Sequence, residues 1–252
     1  MGQEVLRALV RTPDLLPVGA VHRRAVAPAL PLPEGKGEIP LASSLEALLG
    51  RVQAQAVVDF TTAEACAHAG RVALSHGLHF VTGTTGLTPA HLEEMDRLAR
   101  EHGVGVIVAP NFALGAVLLI HLARLVGRYF EYADIIEAHH EGKIDAPSGT
   151  ALAIARALVE GRGAPFLRPA PEKEPVVGSR GAQVEGVGLH ALRMQGRLAH
   201  HEVILGTAGQ TLTLRHDTLS RECYMPGVLL ALRRVRGYKG LVVGLDKVMG
   251  LA

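Results

Sequence analysis

Short apolar runs that alternate with helical segments constrain this chain most. Residues 56–60 (AVVDF), 79–82 (HFVT) and 104–109 (VGVIVA) are too short for helices and carry no polar alternation. The first two are each followed by a capping residue and a helical stretch, with Thr62 before an Ala-rich segment and Thr88-Pro89 before another, and the third ends at Pro110-Asn111. Continuous apolar strands separated by helices predict a parallel sheet covered on both faces. Thr as cap with Pro at the first helical position is a standard helix start. Ser43 or Ser44 is expected to cap a further helix through Gly50. Residues 15–21 read as one more strand. Ligands of such sheets bind beyond the carboxyl ends of the strands. Four segments are therefore expected on one edge: His22-Arg23-Arg24, Thr61-Thr62, Gly83-Thr84-Thr85 and Pro110-Asn111.

The second half reads differently. Residues 114–128 predict a helix, 132–139 a strand, and 149–160 a helix after a polar loop. Residues 161–181 are rich in Pro and Gly and predict a long loop. Three strand-like stretches follow at 183–194, 198–205 and 211–217, then a closing helix at 224–236. The expected class is α/β: a Rossmann-like parallel-sheet domain (1–111 with 221–252) plus an α+β mixed-sheet domain (112–220).

Composition narrows the function classes. With 252 residues and a net charge of +2, the chain shows no basic patch suited to nucleic acid. Two cysteines, Cys66 and Cys223, lack metal spacing and fit a reducing, cytoplasmic setting. The apolar stretch 104–127 is interrupted by Pro110-Asn111, His121 and Arg124, whereas a membrane span needs about 20 uninterrupted apolar residues. Asn111 is the only asparagine in the chain, which singles it out.

The densest chemistry lies in residues 137–150, EAHHEGKIDAPSGT. A helix beginning at Ser-Gly-Thr offers unpaired N–H groups to an anion, and Ser148 and Thr150 add hydroxyls. Lys143 adds a full charge. A histidine titrates near neutrality and can deliver a proton. An ordinary polar loop before a capped helix is the competing reading. Zinc is a weaker one, because His139 and His140 point to opposite faces of a strand and HExxH spacing is absent. No metal ligand is assigned.

The run 137–151 matches EAHHxxKxDAPSGTA at twelve positions and resembles the hallmark of the dihydrodipicolinate reductase family. VVDFT at 57–61, VTGTTG at 81–86, APNFALG at 109–115 and RHDTLSRECYMPG at 215–227 resemble the family's other motifs in the same order, and the likeness runs to about residue 249. The resemblance implies NAD(P)H-dependent reduction of 4-hydroxy-tetrahydrodipicolinate (dihydrodipicolinate) to tetrahydrodipicolinate, in diaminopimelate and lysine biosynthesis. It implies His139 as proton donor and acceptor and Lys143 as second donor or electrostatic partner. His140, Gly149 and Thr150, joined by Ser148, would bind the substrate carboxylates. Gly2, His22, Arg23, Gly83, Thr84, Thr85, Ala109, Pro110, Asn111 and Phe112 would contact NADPH or NADH. A cytoplasmic homotetramer acting on a cyclic dicarboxylate is implied, with no nucleic-acid or membrane partner. The alternative is a non-catalytic or cofactor-impaired relative that binds a small dicarboxylate.

Two departures stand out. His200 replaces the family's Glu and is expected on the strand surface, while His201 keeps the family's His. The family opens with a strand and a GxxGxMG turn, and Met1-Gly2 aligns with the last two residues of that motif. The expected first strand is therefore missing. A late start codon, a truncation or a damaged cofactor site would each account for this, and an upstream extension of about ten to fifteen residues is the expectation.

Overall fold

The computed structural model describes residues 1–251 and divides into two compact units, Met1–Phe112 with Tyr224–Ala252, and Ala113–Cys223. The first unit opens with helix α1 (Gly2–Val10), followed by β1 (Ala20–Val21), β2 (Ala29–Pro31), β3 (Glu38–Ala42) and α2 (Leu45–Leu49). Then come β4 (Ala56–Asp59), α3 (Ala63–Ser75), β5 (His79–Thr82), α4 (Pro89–Glu101) and β6 (Gly105–Val108). Ser44 caps α2 by accepting the Ala47 N–H. Thr88 and His91 form a reciprocal capping box at α4, with Pro89 at its first position.

The second unit carries α5 (Leu114–Val126), β7 (Tyr132–His139), α6 (Gly149–Arg162), β8 (Ala182–Val184), β9 (Val187–Arg193), β10 (Ala199–Thr207) and β11 (Gln210–Thr218). These strands form one mixed sheet in the order β11-β10-β7-β9-β8. One face presents Ala133, Ile135, Leu189, Val203 and Leu205 to a core shared with Ile154 and Leu158 of α6 and Leu119 of α5. The two helices approach closely because two glycines remove side chains. A Cβ on Gly161 would lie 1.8 Å from the Arg124 carbonyl oxygen, and one on Gly127 would lie 2.5 Å from that of Leu158.

The chain then returns to the first unit with α7 (Met225–Arg234), β12 (Gly240–Val243) and α8 (Leu245–Met249). Strand β12 pairs parallel with β6, giving an all-parallel sheet in the order β12-β6-β5-β4. Its core centres on Leu74, Phe80, Met95, Val106 and Val108. Gly105 lets the chain after α7 come close, since a Cβ there would lie 2.2 Å from the Val235 carbonyl oxygen.

The architecture is the expected parallel sheet with helices plus a mixed sheet, and four local expectations are corrected. Of residues 15–21 only Ala20–Val21 are strand; Pro17 lacks an N–H to give a ladder, and Gly19 packs against Leu48. Strand β1 joins β3 and β2 in a separate three-stranded sheet, so His22–Arg24 does not follow a strand of the main sheet. Residues 183–194 are two strands, broken where Glu185 and Gly186 take φ of 48° and 84°. The helix at 224–236 does not close the chain, because β12 and α8 follow it.

Candidate active site

In the second unit, sheet register assembles the site. Glu137 and His139 alternate on β7, both toward the helix-covered face; Glu137 is 1% exposed and His139 7%. His201 on β10 lies directly across from Glu137, and Arg193 on β9 is the register partner of His139. Oε2 of Glu137 lies 2.5 Å from His139 Nδ1. The Arg193 guanidinium donates to both carboxylate oxygens, at 2.9 and 2.8 Å. The Ser148 N–H donates to Oε1 at 3.0 Å. A buried carboxylate with four donors is well compensated. Burial works to raise the Glu137 carboxyl, but its bonds to Arg193, His139 and the Ser148 N–H together hold it below the ordinary value.

The bond to Glu137 fixes the orientation of His139. With Nδ1–H donated to the carboxylate, Nε2 becomes the nitrogen that exchanges a proton. Burial holds His139 below the ordinary imidazole value, Glu137 pulls the other way, and the Lys143 and Arg193 charges add to the lowering. His201 stacks edge-on at 5.4 Å between ring centres. Burial, with the His139 charge, brings His201 down to about 4.

Ser148 begins α6. Its Oγ accepts the Ala151 N–H at 3.2 Å and lies 3.1 Å from His201 Nε2. The Gly149 and Thr150 N–H groups lie ahead of the first intrahelical bond, at the positive end of a 14-residue helix. Lys143 is half-buried in the preceding loop and donates to Asp145 at 2.6 Å, and Arg193 donates to the Asp145 carbonyl at 2.6 Å. His139, Ser148 and Lys143 are thus linked through one polar network with Glu137, Arg193 and Asp145, while His140 is exposed beyond the strand end. Sequence reasoning assigned no site role to Glu137 or Arg193. The Glu of the EAHH run was the available signal for the first; Arg193, 56 residues later, matches an arginine of the family and was read only as a salt-bridge former. His200 is not a surface residue as expected: it is half-buried, and its Nδ1 sits 2.6 Å from Asp217 Oδ1 across the β10–β11 ladder.

In the first unit the carboxyl ends of β4, β5 and β6 release Thr61-Thr62, Gly83–Thr85 and Ala109–Phe112 on one edge. Buried Asp59 ties two of these together: Oδ1 accepts from Thr84 Oγ1 at 2.7 Å and from the Thr61 N–H at 3.2 Å, and Oδ2 accepts from Thr61 Oγ1 at 2.8 Å. Burial, helped by the Asp59 carboxylate, pushes the Cys66 thiol up to about 12. Gly83 is required by packing, since a Cβ would lie 2.2 Å from the Phe60 ring and 3.1 Å from that of Phe112. Thr85 and Pro110 are exposed, whereas Thr84, Ala109 and Phe112 are buried. Gly2 starts α1, which has no side-chain cap, and a Cβ there would meet nothing within 4 Å. His22, Arg23 and Arg24 are exposed after β1. Exposed guanidinium groups fit the phosphates of a dinucleotide.

Comparison with known proteins agrees across the chain. Residues 1–112 match the family model described as dihydrodipicolinate reductase, N-terminus, and residues 115–249 match its C-terminus counterpart. A 4-hydroxy-tetrahydrodipicolinate reductase of Dehalococcoides mccartyi is 50% identical over 100% of this chain and 95% of its own length. That of Moorella thermoacetica is 43% identical, covering 99% and 94%. The dipicolinate-bound dihydrodipicolinate reductase of Paenisporosarcina sp. TG-14 superposes with a TM-score of 0.87 at 34% identity, covering 98% of this chain and 94% of that one. The chain belongs to the dihydrodipicolinate reductase family of NAD(P)H-dependent oxidoreductases.

Proposed function

We propose that the chain reduces 4-hydroxy-tetrahydrodipicolinate to tetrahydrodipicolinate with NADH or NADPH, a step of diaminopimelate and lysine biosynthesis, and that His139 and Lys143 are its catalytic residues. The observation that carries this reading is the EAHHEGKIDAPSGT run, folded so that a carboxylate-held histidine sits beside an open helix start. The chain's own part is to bind, orient and protonate. Backbone N–H groups of Gly149 and Thr150, with the Ser148 and Thr150 hydroxyls, His140 and the Lys143 ammonium, receive the two carboxylates of the ring. A bound dianion beside His139 favours its imidazolium. The site therefore takes up a proton at Nε2 as substrate enters, and gives it to the ring as charge develops there. Lys143, held near by Asp145, is the second donor. In the first unit Gly2, His22, Arg23, Gly83, Thr84, Thr85 and Ala109–Phe112 would hold the dinucleotide, which when bound supplies the hydride. Residues 1–111 with 221–252 would form the dinucleotide-binding domain, and 112–220 the substrate-binding and oligomerisation domain.

A cytoplasmic homotetramer fits the second unit. Both of its helices lie on one face of the mixed sheet, and the other face presents Leu192, Glu202, Ile204 and Arg215. NAD(P)H oxidation with freshly prepared substrate tests the function. Turnover dependent on both reactants is expected; substrate binding without oxidation would instead support a non-catalytic dicarboxylate binder.

A further inference from the structure

Glu137 serves three residues at once. Its Oε2 accepts from both His139 Nδ1 and Arg193, and its Oε1 from both Arg193 and the Ser148 N–H. A carboxylate shared with a guanidinium has less charge to offer an imidazolium. The groups facing His139 are few: Glu137 on its own strand, Arg193 on β9, His201 on β10, and Lys143 with Asp145 in the loop before α6. Two are fixed cations, both oppose a positive His139, and only Arg193 also competes for Glu137.

We propose that Arg193 is a positioning residue that sets the proton affinity of His139 through Glu137, keeping the imidazolium a strong enough acid to give up its proton. Without Arg193, the Glu137 charge would fall on His139 alone, and the His139–Glu137 pair would hold its last proton to higher pH. Without the Glu137 charge, Arg193 and Lys143 would face His139 unopposed, and the imidazolium would lose its proton earlier. The register partnership of His139 and Arg193 places the guanidinium where it can do this.

The proposal rests on His139 as proton donor only where rate is concerned, so the test separates the two. Histidine ring ¹H–¹⁵N spectra of the full chain, with the His139 signal assigned by its loss in His139→Gln, give the titration midpoint without turnover. Arg193→Met is expected to raise that midpoint by about one pH unit and Glu137→Gln to lower it by a similar amount. The basic limb of the kcat profile should move in the same directions. Arg193→Lys keeps the cation and is expected to leave the midpoint within a few tenths of the parent's, the scale of a minor change in charge placement. A purely structural role would not move the two variants in opposite directions. An unmoved midpoint in Arg193→Met, a Lys variant displaced as far as Met, or both charge variants moving the same way would overturn the proposal. Should Arg193→Met not fold, the Lys and Gln variants still decide it. Near-parent kcat in His139→Gln would overturn the donor assignment and leave the linkage standing.

Discussion

Ser148 Oγ and His201 Nε2 lie 3.1 Å apart beneath the first turn of α6, joining the start of that helix to β10 across 53 residues of sequence. Ser148 already accepts the Ala151 N–H, so a proton given by His201 Nε2 would leave the Ser148 hydroxyl hydrogen available to a carboxylate. Burial keeps His201 neutral, and its Nε2–H tautomer gives this arrangement.

Acid should therefore destabilise the fold through His201. Its folded value of about 4 lies below the ordinary 6.5, so the unfolded chain binds the proton first. The contribution is full above about pH 6.5, falls by about 1.4 kcal/mol per pH unit below that, and is gone once the pH passes below the folded value. Urea unfolding between pH 7 and pH 5 should show a steeper loss in the parent than in His201→Gln. Parallel slopes would show that His201 binds its proton equally in the folded and unfolded states.

His139→Gln and Lys143→Ala should each lower kcat on the order of 10²-fold or more, the usual scale for a general acid. Lys143→Ala should also raise KM, because a substrate carboxylate loses its cation. Steady-state kinetics read both. A His139→Gln enzyme with near-parent kcat would remove His139 from the chemistry.

Arg23 is exposed after β1, about 20 residues beyond Gly2, the spacing at which a dinucleotide site carries the group that reads the ribose 2′ position. NADPH should be used at least as well as NADH. Arg23→Ser should raise KM for NADPH roughly tenfold, the loss of one charge-assisted bond, and leave NADH nearly unchanged. A clear NADH preference in the parent would exclude Arg23 from phosphate recognition.

Gly161→Ala sets propensity against packing. Alanine is favoured over glycine in a helix by about 1 kcal/mol. Its Cβ would lie 1.8 Å from the Arg124 carbonyl oxygen, and backbone cannot move aside as a side-chain tip can. Overpacking of this kind costs about 1–3 kcal/mol or more. A lower Tm is expected by differential scanning calorimetry; an unchanged or higher one would mean that α5 and α6 separate freely.

Much of this was readable in the sequence because it is local. The Thr88-Pro89 start, the bounds of β7 and the Ser148 cap all depend on neighbours within four residues. The candidate donor and the helix start share a fourteen-residue run, so they could be read together. Glu137 with Arg193 could not, because they meet through a parallel register between β7 and β9 that no short-range signal encodes. His200 went wrong for a similar reason: its partner Asp217 sits on the next strand. Strand β12 was missed because GLVV is four residues long and its partner β6 lies 135 positions back.

That last pairing has a consequence for synthesis. Strand β6 has both neighbours only after residues 240–243 have left the ribosome, and by then the whole of the second unit has been made. During translation the second unit, contiguous from Ala113 to Cys223, can complete its own sheet first. The unit that begins the chain is thus the one whose folding finishes last, and nascent chains stalled before residue 240 should keep the β6 edge open to chaperones.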